Sequence, residues 1–397
     1  MFEYRMMKRV LPALILCTFA SMVGSGIVAP LLPTYASRLG IAGIWLGIIF
    51  GAFSLSRAFL SPVFGRLSDK QGRRRYICIG VAGYALVSLG YTWADTPEVL
   101  VVVRLLQGAA SAMILPIAQA YVGDISPEGE EGKWMGYFNA AFVAGFGFGP
   151  LLGGTVSDLF DIDVAFYVMG AMNLLALVAA LVLLPAKEQR KVARPGQSSF
   201  RSMSRSPLTL GLWSMSFANA LGMGASQAFF PILAHEIAGA TPTQVGILLT
   251  VQIMVSSLGQ AFGHLGDRWN RRWLAVLGHA ISLIYLAGLP FTHDFYMMVI
   301  LSVITGIGAA VSSWGTSALM VTEGRKFGMG SAMATFNMVG GLGMWLGPML
   351  GGFFAQLIST SSTFFFAAAT VAFSCLLFVW LAMRRRDDGA GLPTRLA

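Results

Sequence analysis

Few side chains in this 397-residue sequence can do chemistry, and their positions are unusual. Charged residues make up 11% of the chain, against about 25% in an ordinary soluble domain. Two arginines stand inside long apolar runs. Arg57 lies in Phe53-Ser54-Leu55-Ser56-Arg57-Ala58-Phe59, and Arg104 is flanked by Val101, Val102, Val103 and Leu105. A cation at such a depth needs water, a partner or an anion. Gln107 follows Arg104 by one helical turn and extends its polar surface. The densest polar stretch runs from Gly65 through Arg66, Asp69, Lys70 and Gly72 to Arg73, Arg74 and Arg75. Charge so concentrated between two membrane-length runs must sit outside hydrocarbon. All eighteen carboxylates fall in loops or near the ends of apolar runs. Asp124, Glu236 and His279 are the candidates for proton exchange.

Enzyme chemistry has no foothold. No phosphate loop follows a strand, no nucleophile stands beside a base, and no cluster has metal-ligand spacing. No cofactor or metal is therefore expected. Cys17, Cys78 and Cys375 lie far apart in apolar segments and read as small buried hydrophobes. The formal charge of +9 is split into short clusters between apolar runs, which argues against nucleic acid. The basic clusters can instead meet anionic lipid.

The elements that must position these groups are membrane helices, because 56% of the chain is hydrophobic. Twelve runs long enough to span can be drawn: 10–35, 43–64, 76–93, 98–122, 134–157, 163–184, 208–233, 243–264, 273–290, 294–320, 328–355 and 363–383. Glutamines, serines and glycines dilute 243–264 and 294–320 most. Near-continuous apolarity excludes an outer-membrane barrel. No cleavable signal peptide is expected, because the first apolar run continues past signal length. Of the 27 basic residues, 24 fall in the termini and alternate loops on one side. The positive-inside rule makes that side cytoplasmic and puts both termini there. Trp45, Trp93, Trp134, Trp269 and Trp273 read as interfacial anchors. Residues 1–184 and 208–397 form two six-helix halves, joined by a basic, serine-rich, flexible linker over 185–207.

The halves repeat at an offset of 198 residues without gaps. Gly65 and Asp69 return as Gly263 and Asp267, Gly108 as Gly306, and Asn139 as Asn337. Gly145-x-x-x-Gly149-Pro150-x-x-Gly153-Gly154 returns as Gly343-x-x-x-Gly347-Pro348-x-x-Gly351-Gly352. Six spans per half give both halves one orientation, the parallel-repeat arrangement of a transporter that rocks around a central site. The glycines of both Gly-Pro segments allow close packing and bending of the fifth and eleventh helices. Asn219, Gln227 and Gln252 are further candidates to line a cavity, whereas Asn139 and Asn337, being symmetric, read as supports of folding.

Four segments resemble the major facilitator superfamily, and more narrowly its twelve-helix drug:proton antiporter branch. They are Gly65-x-x-x-Asp69-x-x-Gly72-Arg73-Arg74, Arg104-Leu105-Leu106-Gln107-Gly108, the segment Gly145 to Gly154, and Gly26-Ile27-Val28-Ala29-Pro30-Leu31-Leu32-Pro33. The resemblance implies an all-α polytopic membrane protein of major-facilitator type, with twelve transmembrane helices in two parallel six-helix repeats. It implies that Asp69 locks the halves near the eleventh helix when the cavity faces outward, and that Arg73 pairs with Asp124. Asp267 and Arg271 would form a weaker second latch, since Asn270 replaces Gly72 and Thr322 stands in the place of Asp124; Glu323 offers a substitute. Arg104 would take part in proton coupling near the first helix; the alternative is snorkelling to the headgroups, about 9 Å away at ~1.5 Å per residue. Arg57 either faces a cavity or is tied to nearby serines and carbonyls.

The resulting expectation is proton-coupled export of small amphiphilic compounds by a monomer in a bacterial inner membrane. Two arginines and no acid favour neutral, zwitterionic or anionic substrates over purely cationic ones. A metabolite, lipid or siderophore facilitator without proton coupling is the alternative, and a non-transporting receptor a third.

Overall fold

Hydrocarbon gives backbone amides no partner but one another, so long apolar runs satisfy themselves as helices. The computed structural model describes residues 2–126, 131–185, 203–263, 269–327 and 329–383, with no strand among them. The long helices are α1 (Phe2–Arg38), α2 (Ile44–Gln71), α3 (Arg73–Thr92), α4 (Pro97–Ile125), α5 (Glu131–Leu159) and α6 (Ile162–Leu183), then α7 (Pro207–Ala238), α8 (Pro242–Ala261), α9 (Arg271–Gly288), α10 (Phe295–Phe327), α11 (Met329–Leu357) and α12 (Thr360–Met383). The starts are set locally. Thr96, Asp161, Ser206, Thr241 and Asn270 cap α4, α6, α7, α8 and α9, and Pro97, Pro207 and Pro242 follow three of those caps.

The repeat is exact in register. The starts of α2 to α6 at Ile44, Arg73, Pro97, Glu131 and Ile162 return 198 residues later at Pro242, Arg271, Phe295, Met329 and Thr360. Among the described residues, ten helices are long and apolar enough to cross a membrane. The dilute runs α8 and α10 are among them, while α3 and α7 fall short. The opening arginines weaken α3; α7 carries Asn219, Ser226 and Gln227, which face a cavity rather than lipid. At 20 residues, α3 is still about 30 Å long at ~1.5 Å per residue.

Three sequence expectations need correction. The polar stretch after the second run is not a loop: α2 continues through Asp69 to Gln71 and α3 begins at Arg73. The only break is Gly72, whose φ of 101° lies where a side chain is strained. Its counterpart Asn270 has φ −66° and caps α9 through Arg272 N at 3.0 Å, so the second copy turns differently. The linker ends before residue 207: Met203 is 1% exposed in an apolar cluster with Leu212, Trp213 and Phe378. Most of the linker, and Asp267, lie outside the described residues. Finally, Trp134 is buried against Tyr137 rather than interfacial, whereas Trp45, Trp93, Trp269 and Trp273 are exposed.

The two Gly-Pro segments set how close the helices come. A Cβ at Gly145 would lie 2.6 Å from Phe19 O, and one at Gly149 2.6 Å from Val23 O and 2.7 Å from Gly26 Cα. Those glycines therefore seat α5 directly on the α1 backbone. Gly343 and Gly347 do the same for α11 on α7, against Phe217 O and Leu221 O. The last glycine of each segment faces the other half. Gly154 abuts Pro242 at the start of α8, and a Cβ at Gly352 would lie 2.5 Å from Gly43 O at the start of α2. One turn deeper, Gly246 meets Pro150 O and Gly47 meets Pro348 O.

All these contacts lie from mid-helix to the end opposite the chain termini. There Asp158 also accepts a hydrogen bond from Thr243 N at 2.9 Å. It places a carboxylate on the N-terminus of a helix from the other half, where the helix dipole favours negative charge. Toward the termini, a Cβ at Gly65 would meet nothing within 4 Å among the described residues.

Gly149→Leu is expected to destabilise the folded protein by at least about 1–3 kcal/mol, the usual cost of overpacking, read as lost monodisperse yield and a lower melting temperature in detergent. Gly65→Leu is expected to leave both unchanged. Asp158→Asn removes an interaction worth about 0.3–1 kcal/mol, so maleimide labelling of a cysteine at Phe146, from the side opposite the termini, is expected to rise by about two- to fivefold.

Candidate functional site

Between the halves lies a cavity of about 430 Å³. Its closed end is the packing just described: Pro150 and Pro348 both line it, beneath the glycine contacts of the opposite half. It extends along α8 through Ser256 and Ser257 to Gln260, in the last turn nearest the termini. Aromatic and sulfur side chains make the apolar wall: Phe50 and Phe53 of α2, Phe142 and Phe146 of α5, and Met22 and Met223.

The first half supplies the cations. Arg104 is 6% exposed and does not snorkel. Its Nε donates to Ile49 O at 3.2 Å, its Nη2 to Phe50 O at 3.5 Å and its Nη1 to Gln107 Oε1 at 2.8 Å. The guanidinium also lies 4.7 Å from the Phe53 ring centroid and 5.2 Å from that of Phe50. Those partners are on α2 and α4, not on the first helix. The link to α1 is indirect. Gln107 is fully buried, accepts from Tyr91 Oη at 2.6 Å and donates to Tyr84 Oη at 3.3 Å. Tyr84 Oη in turn lies 2.6 Å from Ser25 Oγ on α1. A continuous polar chain thus crosses from Arg104 to α3 and α1. Tyr84, Tyr91 and Ser25 were missed in the sequence. Their signal was the seven-residue tyrosine spacing, two helical turns, which puts both phenols on one face of α3.

Arg57 differs. It lines the cavity. The neighbouring serines do not hold its guanidinium: Ser61 Oγ donates to the Arg57 carbonyl, and Ser56 Oγ donates to Leu105 O. The second half supplies amides and hydroxyls. Asn219, Gln227 and Gln252 all reach the cavity, with Gln260, Ser226 and Ser282. His279 is buried at its edge, with Nδ1 2.9 Å from Ala275 O and 2.8 Å from Ser312 Oγ. No carboxylate lines the cavity among the described residues.

The charged group at the termini end is separate from the cavity. Arg73, 13% exposed, donates from Nε to Asp124 Oδ2 at 2.6 Å and lies 3.1 Å from Asp69 Oδ1. Asp69 itself is 59% exposed and in these contacts reaches across the Gly72 break to Arg73, at the start of α3 in its own half. The second half is built otherwise. Glu323 is buried, accepts from Ser206 Oγ and Thr209 Oγ1 at 2.6 Å each, and pairs with Lys326 at 2.7 Å. It therefore ties α10 to α7 and does not complete a latch with Arg271, which is exposed. Of the other proton-exchange candidates, Glu236 accepts from Thr360 Oγ1 at 3.0 Å on the exposed surface. Asn139 and Asn337 are exposed and so do not brace the fold here. Cys17 is buried and donates to Ala176 O at 3.5 Å, whereas Cys78 and Cys375 are only partly buried.

The Major Facilitator Superfamily family model matches residues 14–237 and again 212–395. An MFS-type transporter of Methanocaldococcus jannaschii is 29% identical over 362 residues, covering 88% of this chain and 92% of that protein. The quinolone resistance protein NorA of Staphylococcus aureus is 25% identical over 350 residues, covering 84% of this chain and 87% of that one. A crystal structure of the nucleoside transporter NupG superposes with a TM-score of 0.80 at 16% identity, covering 94% of this chain and 99% of that chain.

Gln107→Leu leaves Tyr91 and Arg104 without their shared acceptor, and stability is expected to fall by about 1–3 kcal/mol for the buried groups so exposed. Gln107→Glu keeps the acceptor and is expected to recover most of it. Denaturant titration of the purified protein in detergent distinguishes the two.

Proposed function

The chain belongs to the major facilitator superfamily, and from that membership we propose that it exports small amphiphilic compounds by alternating access, driven by proton entry. The observation that carries this reading is the cavity itself: both halves line it, and packed glycines close it at the end opposite the termini. The positive-inside rule puts the termini in the cytoplasm, so this conformer takes up its cargo from inside. Similarity to NorA, a quinolone resistance protein, supports export of drug-like compounds. A bacterial plasma membrane and a monomeric state accord with the same relatives.

Each half of the cycle then has its own lock. Closure at the outer end rests on Gly154 and Gly352 against the opposite half and on Asp158 at the α8 N-terminus. Closure at the cytoplasmic end uses Asp69, which leaves Arg73 to meet the N-terminus of α11, while Asp124 keeps Arg73 oriented. Gly72 lets the chain turn sharply there without strain. Arg104 couples proton movement to the cavity through Gln107 and the two tyrosines, because any change of charge near it redistributes those hydrogen bonds. A facilitator without proton coupling is the second reading, favoured by a cavity wall free of carboxylates among the described residues.

Proteoliposomes with an imposed pH gradient test both readings. Export-direction transport of a drug-like compound is expected to move protons the other way. Arg104→Ala is expected to uncouple the two fluxes, and Asp69→Asn to slow turnover with both fluxes still linked. A compound that equilibrates while protons stay still would reject coupling and leave the facilitator.

A further inference from the structure

We propose that Arg57 is the anion-binding subsite of the central cavity, and that the substrate is a drug-sized amphiphile carrying a carboxylate or similar acidic group on an aromatic or apolar body. This deepens the transport reading and rests on it for the word substrate; the binding site itself does not.

Three observations carry it. First, the two arginines of the cavity are not equivalent. Every guanidinium nitrogen of Arg104 already donates to Ile49 O, Phe50 O or Gln107, and two phenylalanine faces cover the group. Arg57 lines the same cavity, and its guanidinium has no hydrogen bond or ion pair with any described residue. Its polar neighbour is the neutral phenol of Tyr84, which brings no counter-charge. The planar guanidinium thus keeps donors without a partner, which suits bidentate capture of a carboxylate.

Second, no carboxylate lines the cavity among the described residues, so the wall carries uncompensated positive charge. A desolvated cation without a counter-ion is costly within a membrane. An anionic ligand removes that cost, whereas a cationic ligand adds to it. Third, the surroundings fit the rest of such a molecule. Phe53, Phe142 and Phe146 offer aromatic faces near the cationic wall, and Gln227 and Gln252 across the cavity offer donors and acceptors to a distal polar group. A volume of about 430 Å³ is that of a drug-sized site.

The test is calorimetric titration of the full-length protein in nanodiscs of zwitterionic lipid at pH 7.5, using three ligands on one ring system: 2-naphthoate, its methyl ester and 2-naphthylmethylamine. The expected order is naphthoate first, by about 10- to 100-fold over the ester, the range of a charge-assisted hydrogen-bonded pair. Arg57→Gln is expected to abolish the preference for the acid while leaving ester binding unchanged. Arg57→Lys, which keeps the charge, is expected to retain part of it. Equal binding of acid and ester by the unaltered protein overturns the proposal without needing any variant, as does tighter binding of the amine or no binding of either anion. Decanoate in the same cell distinguishes the source of the anion. Tighter binding than naphthoate keeps the subsite at Arg57 but overturns the aromatic body in favour of a lipid-derived acid; weaker binding supports the aromatic body. Naphthoate binding that depends on Arg57, with no transport of it in proteoliposomes, would sink the exporter reading and leave the subsite standing.

Discussion

Bare backbone meets bare backbone where α5 crosses α1 and where α11 crosses α7. Gly145 and Gly149 sit on the carbonyls of Phe19 and Val23, and Gly343 and Gly347 on those of Phe217 and Leu221. Lipid is as apolar as leucine, so burying apolar surface cannot hold membrane helices together as it does in water. Close packing of small residues can. The same two helices then carry a second set of glycines outward to the other half, at Gly154 and Gly352. Packing within each half and contact between halves therefore share one helix on each side. A rigid body and a separable interface are written on opposite faces of α5 and α11.

Symmetry ends at the polar groups. The first half holds Arg57, Arg104 and the buried chain through Gln107, Tyr84 and Tyr91. The second half answers with amides, serines and His279. At the termini end the contrast repeats. Arg73 is clamped between Asp69 and Asp124, while the corresponding carboxylate near Thr322 is Glu323, committed to Ser206, Thr209 and Lys326. Duplicated helices thus give the two halves matching packing, and divergent side chains give them different polar interiors.

The two proposed locks use related chemistry at opposite ends. Asp158 occupies a helix N-terminus of the other half, and Asp69 is the carboxylate proposed to do so when the cavity reverses. A carboxylate on a helix N-terminus is a modest interaction. Modest is what the proposed alternating access requires, since each closed end would have to open again within every cycle.

The helices, their number and their repeat offset were legible in the sequence, because apolar length and an exact repeat are local properties. The offset of 198 residues could be read from the paired motifs alone, whereas the runs drawn at 43–64 and 243–264 start 200 residues apart and only the structure places the two helix starts in register, at Ile44 and Pro242. The pairing of Arg73 with Asp124 could also be read, through the family resemblance. Arg57 and Arg104 stood out because charge inside an apolar run is conspicuous wherever it points. What they bond to was not legible. Only the packing of α2 against α4 spends the donors of Arg104 on Ile49, Phe50 and Gln107 and leaves those of Arg57 for the cavity. Tyr84, Tyr91 and Asp158 escaped notice because a phenol in an apolar helix, or an aspartate at a helix end, is ordinary until its partner from a distant segment is in place. Composition and spacing determined that this chain is a duplicated membrane bundle. Tertiary packing decided which end is closed and which arginine is satisfied, because both depend on contacts between residues far apart in the chain.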